Sequence, residues 1–129
     1  MPTYDGENHY MRKINLSEKF SLIKTLWNPK IVGELNDQFI KLVKFEGEFT
    51  WHKNQNEDEM FLVVQGSFEM QFRGKSILLN EGEFIIVPKG IEHCPKAKME
   101  VHVLLFEPKT TINTGDQVSD KTIINPEFI

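Results

Sequence analysis

The sequence is poor in the features that mark several classes of protein. It holds one cysteine in 129 residues, so it can form no internal disulfide, which suits a reducing compartment. Its apolar runs, such as FLVV and FIIV, are far shorter than the ~20 residues of a membrane-spanning helix. The opening stretch, MPTYDGENHYMRK, lacks the apolar segment of a signal peptide. We therefore expect a cytoplasmic protein with no membrane partner.

Positive charge is also scarce. The formal net charge is −4, the acidic residues are spread along the chain, and no basic stripe is visible. Proteins that bind nucleic acids concentrate Lys and Arg on one face, so we expect no nucleic-acid partner. With 40% apolar and 26% charged residues, the chain has the composition of one soluble globular domain.

A long helical period is absent as well, and short strands separated by Gly or Pro take its place. The stretch SFEMQF alternates apolar and polar residues, and Arg73-Gly74-Lys75 is typical of a hairpin turn. We place another hairpin between residues 48–52 and 59–65. This succession of short antiparallel strands predicts an all-β domain, a jelly-roll barrel or double-stranded β-helix, over residues 31–108.

The two ends of the chain differ from this pattern. Residues 1–30 predict an N-terminal arm, in which His9 is a solvated residue of a polar stretch and Ser17 is a suitable N-cap for a short turn. Residues 109–129 are mostly polar and predict a C-terminal tail that packs on the barrel. Because the arm also carries Leu, Phe and Trp, it could cover an edge strand of a second copy, and we expect a homodimer.

Two stretches carry the residues that could perform chemistry. The first, GEFTWHKNQNEDEMFLVVQG, spans residues 47–66, and the second, GEFIIVPKGIEHCPKA, spans residues 82–97. Side chains two apart on a strand share a face, so His52 and Asn54 project the same way. Glu59 starts the apolar strand MFLVV, which separates it from its acidic neighbours and carries it inward.

The second stretch supplies another imidazole. His93 follows Pro88 and Gly90, a turn pair that can aim its ring at the same point. Two neutral imidazoles and one carboxylate bind a borderline divalent ion and leave positions open for a substrate. The sequence therefore predicts a metal site formed by His52, Glu59 and His93.

At these stretches the chain resembles the cupin superfamily, which has two motifs of set spacing. The residues at the positions of the first motif are Gly47, His52, Asn54, Glu59 and Gly66. The residues at the positions of the second motif are Gly82, Pro88, Gly90, His93 and Ala97. The resemblance covers roughly residues 35 to 107 and is strongest for small single-domain cupins of the mannose-6-phosphate isomerase-like group.

Two positions depart from the cupin pattern. Asn54 stands where a second histidine belongs, and Ala97 stands where an Asn is common. The resemblance therefore implies three of the four usual ligands for a divalent ion such as Zn, Fe, Mn or Ni. Asn54 could offer its amide oxygen as a weak ligand, hydrogen-bond a metal-bound water, or only cap the turn, and these roles stay open.

The resemblance implies that a small polar molecule binds in the barrel pocket. It leaves open whether the protein converts this molecule or only binds it. A bound ion could serve a metal-dependent isomerase or epimerase, a decarboxylase or a dioxygenase. The alternatives are a ligand-binding or sensor cupin without turnover, with or without metal, and a structural protein that only dimerises. The sequence shows no general base beyond the predicted ligands, so it does not decide whether the protein is an enzyme.

Two further residues have more than one interpretation. His102 lies in EVHVLLF on the face opposite Val101 and Val103, and is either a hydrogen-bonded core residue or a pocket residue near the site. Cys94 follows His93 and points away from it on an ideal strand. We expect Cys94 to be a packed apolar residue and not a nucleophile.

Overall fold

A computed structural model gives the structure of the chain and describes residues 11–129, so His9 lies outside the described residues. Within the described range the chain forms one short helix and seven strands. They are α1 (Leu16–Leu22), β1 (Lys30–Leu35), β2 (Gln38–Glu48), β3 (Glu59–Gln65), β4 (Ser67–Phe72), β5 (Lys75–Asn80), β6 (Phe84–Val87) and β7 (His93–Pro108). Over the same residues, no helix has the length and apolar character needed to span a bilayer.

The seven strands pair antiparallel and are organised around β7. This strand is 16 residues long, and β2 runs along most of one side of it. On the other side, its first residues pair with β4 and its later residues with β3. β1, β5 and β6 then extend the sheet beyond β2, β4 and β3, respectively. The predicted all-β jelly-roll fold is confirmed.

Alternation along the strands decides what lies inside the barrel. Val103 and Leu105 point inward from β7, and Phe61 points inward from β3. The buried residues of this core are Val43, Phe45, Phe61, Val63, Phe68, Met70, Leu79, Val87, Ala97, Val101, Val103 and Leu105. Glu59 begins β3 on the same inward face, so the core and the predicted site share one interior.

The described part of the predicted arm packs on its own barrel. The side chain of Asn15 accepts a hydrogen bond from Glu18 N at 2.9 Å, so Asn15 is the N-cap of α1 and the prediction of Ser17 is wrong. Phe20 is the buried residue of the helix and packs on the outer face of the sheet. The described part of the arm therefore covers its own barrel, and the predicted contact with a partner's edge strand stays a prediction.

Trp27, near the end of the arm, closes one side of the barrel. Its ring stacks on Phe45 and on Phe49, with centroids 4.6 Å apart in both pairs. Its Nε1 also donates to Glu46 O at 3.1 Å. These contacts hold the indole as a wall of the barrel interior.

The end of the chain lies beside β1. Ile31 N donates to Glu127 O at 2.7 Å, and Ile129 N donates to Ile31 O at 3.0 Å. Lys19 Nζ, from α1, donates to Ile129 O at 2.7 Å. These bonds tie the last residues to the first strand and to the helix.

One predicted strand pairing is wrong. Residues 48–52 do not pair with β3 but follow the first part of β7, where Phe49 N donates to Pro95 O at 3.0 Å and His52 forms a bridge with His93. Backbone N–H and C=O groups need partners, and β7 supplies them there on the side that β4 leaves open. The chain therefore follows β7 before it crosses to β3.

One ion pair lies inside the barrel. The side chains of Lys41 and Glu107 are 3% and 1% exposed, and Lys41 Nζ lies 3.0 Å from Glu107 Oε2. Lys30, in contrast, pairs at 2.8 Å with Glu127, whose side chain is 73% exposed. Water can solvate the exposed partner but not the buried one, so loss of each lysine should have a different cost.

Replacement of each lysine by methionine tests this difference. We expect Lys41→Met to lower the free energy of unfolding by about 3–5 kcal/mol, because it leaves Glu107 buried without a counter-ion. Lys30→Met should cost about 1 kcal/mol or less, because Glu127 stays in water. Denaturant titration at neutral pH measures both values, and equal losses would contradict the role given to the buried pair.

Candidate metal centre

His52 and His93 are joined by an antiparallel bridge of two backbone hydrogen bonds. His52 N donates to His93 O at 3.1 Å, and His93 N donates to His52 O at 2.9 Å. Residues paired in this way place their side chains on the same side of the ladder. The two imidazoles are accordingly neighbours, with ring centroids 4.4 Å apart, and both are buried. Backbone pairing therefore brings the two motifs together.

The backbone also fixes which ring nitrogen faces the site. His52 Nδ1 lies 2.7 Å from Thr50 O, and His93 Nδ1 lies 2.9 Å from Ile91 O. A carbonyl oxygen can only accept, so each Nδ1 carries the proton and donates it. Each Nε2 then keeps its lone pair for another group. Within residues 11–129, His93 Nε2 is buried and has no hydrogen-bond partner.

Glu59 joins the group from the start of β3. Its Oε1 lies 3.9 Å from His93 Nε2 and accepts a hydrogen bond from Asn54 Nδ2 at 3.2 Å. Both Glu59 and Asn54 are buried. The amide of Asn54 therefore holds the carboxylate of Glu59, a predicted ligand. The sequence did not suggest this contact.

Burial favours the neutral form of both imidazoles. It lowers the pKa of His52, against smaller opposing effects from Thr50 O and Asp116. It also lowers the pKa of His93 to about 4, and the neighbouring His52 adds to that shift. A neutral imidazole is the form that binds a metal ion, so both rings are ready to bind at neutral pH.

The pKa of Glu59 moves in the opposite direction. Burial raises it well above its ordinary value, and the nearby Glu107 carboxylate raises it further, while Lys41 and Asn54 oppose the shift. Two buried carboxylates so close together favour a shared proton over two charges. Glu107 Oε1 is buried and has no hydrogen-bond partner among the described residues.

The three predicted ligands therefore lie together. One ligand atom from each of His52, Glu59 and His93 lies within 4.8 Å of the others. Metal bonds of ~2.0–2.2 Å bring donor atoms within ~4 Å of one another, so binding would require these side chains to move slightly closer together. Two imidazoles and one carboxylate suit a borderline divalent ion. The cluster could hold a metal ion, and metal binding itself stays a prediction.

Two spaces lie near the cluster, one lined in part by its own residues and one lined in part by Asn54. An inner cavity of about 40 Å³ lies beside His52 and Glu59, and its other walls are mostly apolar side chains, including that of Trp27. A groove of about 200 Å³ lies on the outer side of Asn54. The groove is lined by Asn54, Gln55, Asn56, Glu57, Thr110, Ile112, Gly115 and Asp116. The inner cavity has room for one or two waters, and the groove for part of a small polar molecule.

Comparison with known proteins identifies the family. The family described as "Cupin domain" matches residues 40–108, which include all three clustered residues. The chain belongs to the cupin superfamily. The resemblance carried by the two motifs is thereby confirmed, while the mannose-6-phosphate isomerase-like group within the superfamily stays a prediction.

Two solved structures and one sequence relative resemble this chain. A cupin-2 domain containing protein from Shewanella frigidimarina NCIMB 400 is 45% identical with a TM-score of 0.73, over 74% of this chain and 93% of that one. The protein NMB1881 from Neisseria meningitidis is 31% identical with a TM-score of 0.70, over 75% of this chain and 99% of that one. YdbB of Bacillus subtilis (strain 168) is 30% identical over 79 residues, which is 60% of this chain and 70% of YdbB. The first of these names states a cupin domain, and none of the three states an activity.

Four residues around the cupin site were missed by sequence reasoning. Lys41 and Glu107 form the ion pair beside Glu59, and Gly115 and Asp116 lie against the first motif from outside. Only Lys41 had a signal in the sequence, because it stands within an apolar strand. Lys is rarely buried without a partner, so its position indicated a buried counter-ion. The other three stand in or near polar stretches that predict only turns and loops.

Two residues with open interpretations now have defined surroundings. His102 points to the outer face of β7, where its ring stacks on Phe20 with centroids 4.7 Å apart and its Nε2 lies 2.9 Å from Glu100 Oε2. Of the two interpretations, the structure supports a hydrogen-bonded packed residue: His102 lies partly buried beneath α1 and not in the site pocket. Cys94 is buried, and burial raises the pKa of its thiol to about 11, which suits a packed residue and not a nucleophile.

The shifted pKa of His93 predicts a pH dependence of stability. In the unfolded chain a histidine takes up a proton below about pH 6.5, whereas folded His93 stays neutral until its pKa of about 4. The unfolded state binds more protons between these values, so the free energy of unfolding should fall as the pH is lowered through this window.

Denaturant titration in the presence of chelator, from pH 7 to pH 4, measures this dependence. We expect His93→Gln to flatten the decline relative to the parent, because glutamine takes up no proton in either state. The raised pKa of Glu59 acts with the opposite sign in both proteins, so it cancels in the difference. Identical slopes for parent and variant would show that burial does not hold this imidazole neutral.

Proposed function

We propose that this cupin binds a divalent metal ion through His52, Glu59 and His93 and uses it to bind a small polar molecule. The observation that carries the proposal is the buried cluster itself, in which His93 Nε2 has no partner among residues 11–129. When bound, such an ion would act as a Lewis acid on an oxygen or nitrogen of the small molecule. We propose zinc, iron, manganese or nickel as the ion and the cytoplasm as the location.

The residues of the chain perform three tasks in this proposal. His52 and His93 present neutral Nε2 atoms because backbone carbonyls hold the proton on each Nδ1. Glu59 supplies the negative charge, and Asn54 orients it. A cation would favour the ionised form of Glu59, so we expect metal binding to release the proton that burial and Glu107 now favour.

The groove beside Asn54 is the proposed entrance for the small molecule. Its lining of amide, hydroxyl and carboxylate groups offers hydrogen bonds to a polar compound. The inner cavity beyond His52 and Glu59 is small and mostly apolar, which leaves little space for the bulk of a substrate. A compound bound at the metal would therefore place its polar part in the groove.

A binding or sensor cupin without turnover is the second candidate. Among the described residues, His52 and Glu59 are the titratable residues that line the inner cavity, and both are assigned to the metal. General acid–base catalysis would need a further group within reach of the substrate. The enzymatic alternatives are an isomerase, as in the mannose-6-phosphate isomerase-like group, a decarboxylase and a dioxygenase. Each of them needs either a further acid–base residue or chemistry supplied by the metal.

Alanine variants test the ligand set. Each of His52→Ala, Glu59→Ala and His93→Ala should remove most of the affinity for zinc, because two remaining ligands compete poorly with water. His102→Ala serves as the matched control, because this histidine lies on the outer face of β7 and should leave zinc binding unchanged. Titration calorimetry with chelator-treated protein measures all four variants.

The converse change restores the missing ligand. Asn54→His should tighten zinc binding, because position 54 faces Glu59 and an imidazole there would complete the usual set of four cupin ligands. The ligand assignment is wrong if the three alanine variants bind zinc as the parent does. A parent protein that binds none of the four metals would leave the metal-free binding module as the better account.

A homodimer is the proposed assembly, and an apolar face of the sheet is its proposed contact. Phe84 and Ile86 of β6 are 60% and 55% exposed. They pair with Leu62 and Met60 of β3, respectively, so the apolar surface continues onto the next strand. Exposed apolar side chains on an edge strand favour association, and the described arm does not cover them.

Charge substitution on this face tests the assembly. We expect the parent to scatter light as a dimer at micromolar concentration, and Phe84→Glu to scatter as a monomer because the contact would bury the new carboxylate. Leu78→Glu is the matched control, since Leu78 is 58% exposed but lies on β5, away from this face. A monomeric parent, or a dimer that Phe84→Glu leaves intact, would refute the proposed contact.

A further inference from the structure

The C-terminal tail makes direct contact with the first motif of the site. Asp116 N donates to Lys53 O at 3.0 Å, and Lys53 N donates to Asp116 Oδ1 at 3.0 Å. Lys53 stands between His52 and Asn54 in the chain, so these two bonds fix the backbone that carries both side chains. The opposite side of the same stretch is fixed by Gly90 N, which donates to Asn54 O at 2.7 Å.

Gly115 brings this contact up to the His52 ring. A Cβ atom at position 115 would lie 2.9 Å from His52 Cδ2 and would also collide with Lys53 O. Gly115 has a φ of +56°, a conformation that favours glycine. An added Cβ would therefore meet both the Lys53 backbone and the His52 ring, so only a residue without a side chain fits there.

The tail is itself held in place beside the site. Thr114 is fully buried, and its Oγ1 lies 2.6 Å from Thr122 Oγ1. The side chain of Asn113 donates to Lys121 O and accepts from Ile123 N, both at 2.8 Å. These bonds give the segment a defined shape where it meets His52, so it can resist displacement of the ring.

We propose that residues 112–116 form a clamp that positions His52 for metal binding, with Gly115 and Asp116 as its positioning residues. The clamp holds the ring from outside, while the bridge to His93 holds the backbone from inside. It lies beyond Pro108, where the cupin family match ends. The proposal rests on the proposed metal site and adds two residues to its support.

A pair of glycine variants tests the clamp. Gly115→Ala should weaken zinc binding by about 10- to 100-fold, the range typical of changes that disturb the orientation of a ligand. Gly74→Ala is the matched control, because Gly74 has a φ of +89° but no atom within 4 Å of an added Cβ. Both variants carry backbone strain, and only Gly115→Ala also places a Cβ against the Lys53 backbone and the His52 ring. Zinc affinity measured by competition with a chromophoric chelator should fall in the first and stay within about twofold of the parent in the second.

Variants at Asp116 keep the test decisive if Gly115→Ala does not fold. Asp116→Ala removes the acceptor for Lys53 N and should weaken zinc binding by about tenfold. Asp116→Asn keeps an acceptor oxygen and should restore binding close to that of the parent. The free energy of unfolding of each variant, measured with chelator, shows whether stability has fallen in general. A general loss of stability would not by itself weaken zinc binding in Asp116→Ala and spare it in Asp116→Asn.

A measurement on the metal-free protein separates the clamp from the metal proposal. The imidazole Cδ2–H signal of His52 in an NMR spectrum recorded with chelator should shift in Gly115→Ala and hold its position in Gly74→Ala. If the parent binds no zinc but this shift occurs, the metal site is wrong and the clamp stands. An unshifted His52 signal, or zinc affinities of Gly115→Ala and Asp116→Ala equal to that of the parent, would overturn the clamp.

Discussion

The bridge between His52 and His93 is the constraint on which the site depends. Two backbone hydrogen bonds join the loop that follows β2 to the first residue of β7, and they bring together residues from the two cupin motifs. Side-chain contacts alone could not set the separation of the rings so firmly, because each imidazole has two rotatable bonds. Once the bridge forms, the Nδ1 contacts with Thr50 O and Ile91 O turn both Nε2 atoms to the interior. Glu59 then needs only the inward register of β3 to join them.

The site has an electrostatic cost in the metal-free protein. Burial lowers the pKa of both histidines and raises that of Glu59. The charged form of each group is therefore less stable in the barrel than it would be in water. The buried Lys41–Glu107 ion pair lies beside the same Glu59. Proteins retain such arrangements where function requires them, often at the expense of stability. A bound cation would offset this cost, since it needs neutral imidazoles and an ionised carboxylate.

The sequence predicted most of the barrel because local rules decide most of it. Glycines and prolines separate the strands, and alternation in SFEMQF shows which of its residues lie inside. The predicted hairpin of residues 48–52 with β3 was wrong because strand pairing depends on which edge is available in three dimensions, and β7 supplied it. The three clustered residues were within reach of sequence reasoning because the motifs carry their spacing. Glu107 and Gly115 were not, because they approach the site only through the path of the folded chain.

The metal content of the protein tests the central claim most directly. The account predicts that protein purified without chelator carries close to one divalent ion per chain, and that His93→Ala, which removes the buried and unpartnered Nε2, carries almost none. His102→Ala should retain the ion, because that ring stacks on Phe20 outside the barrel. Elemental analysis of the three proteins, prepared side by side, gives the answer. A metal-free parent that also fails to take up zinc, iron, manganese or nickel when these are supplied would contradict the account.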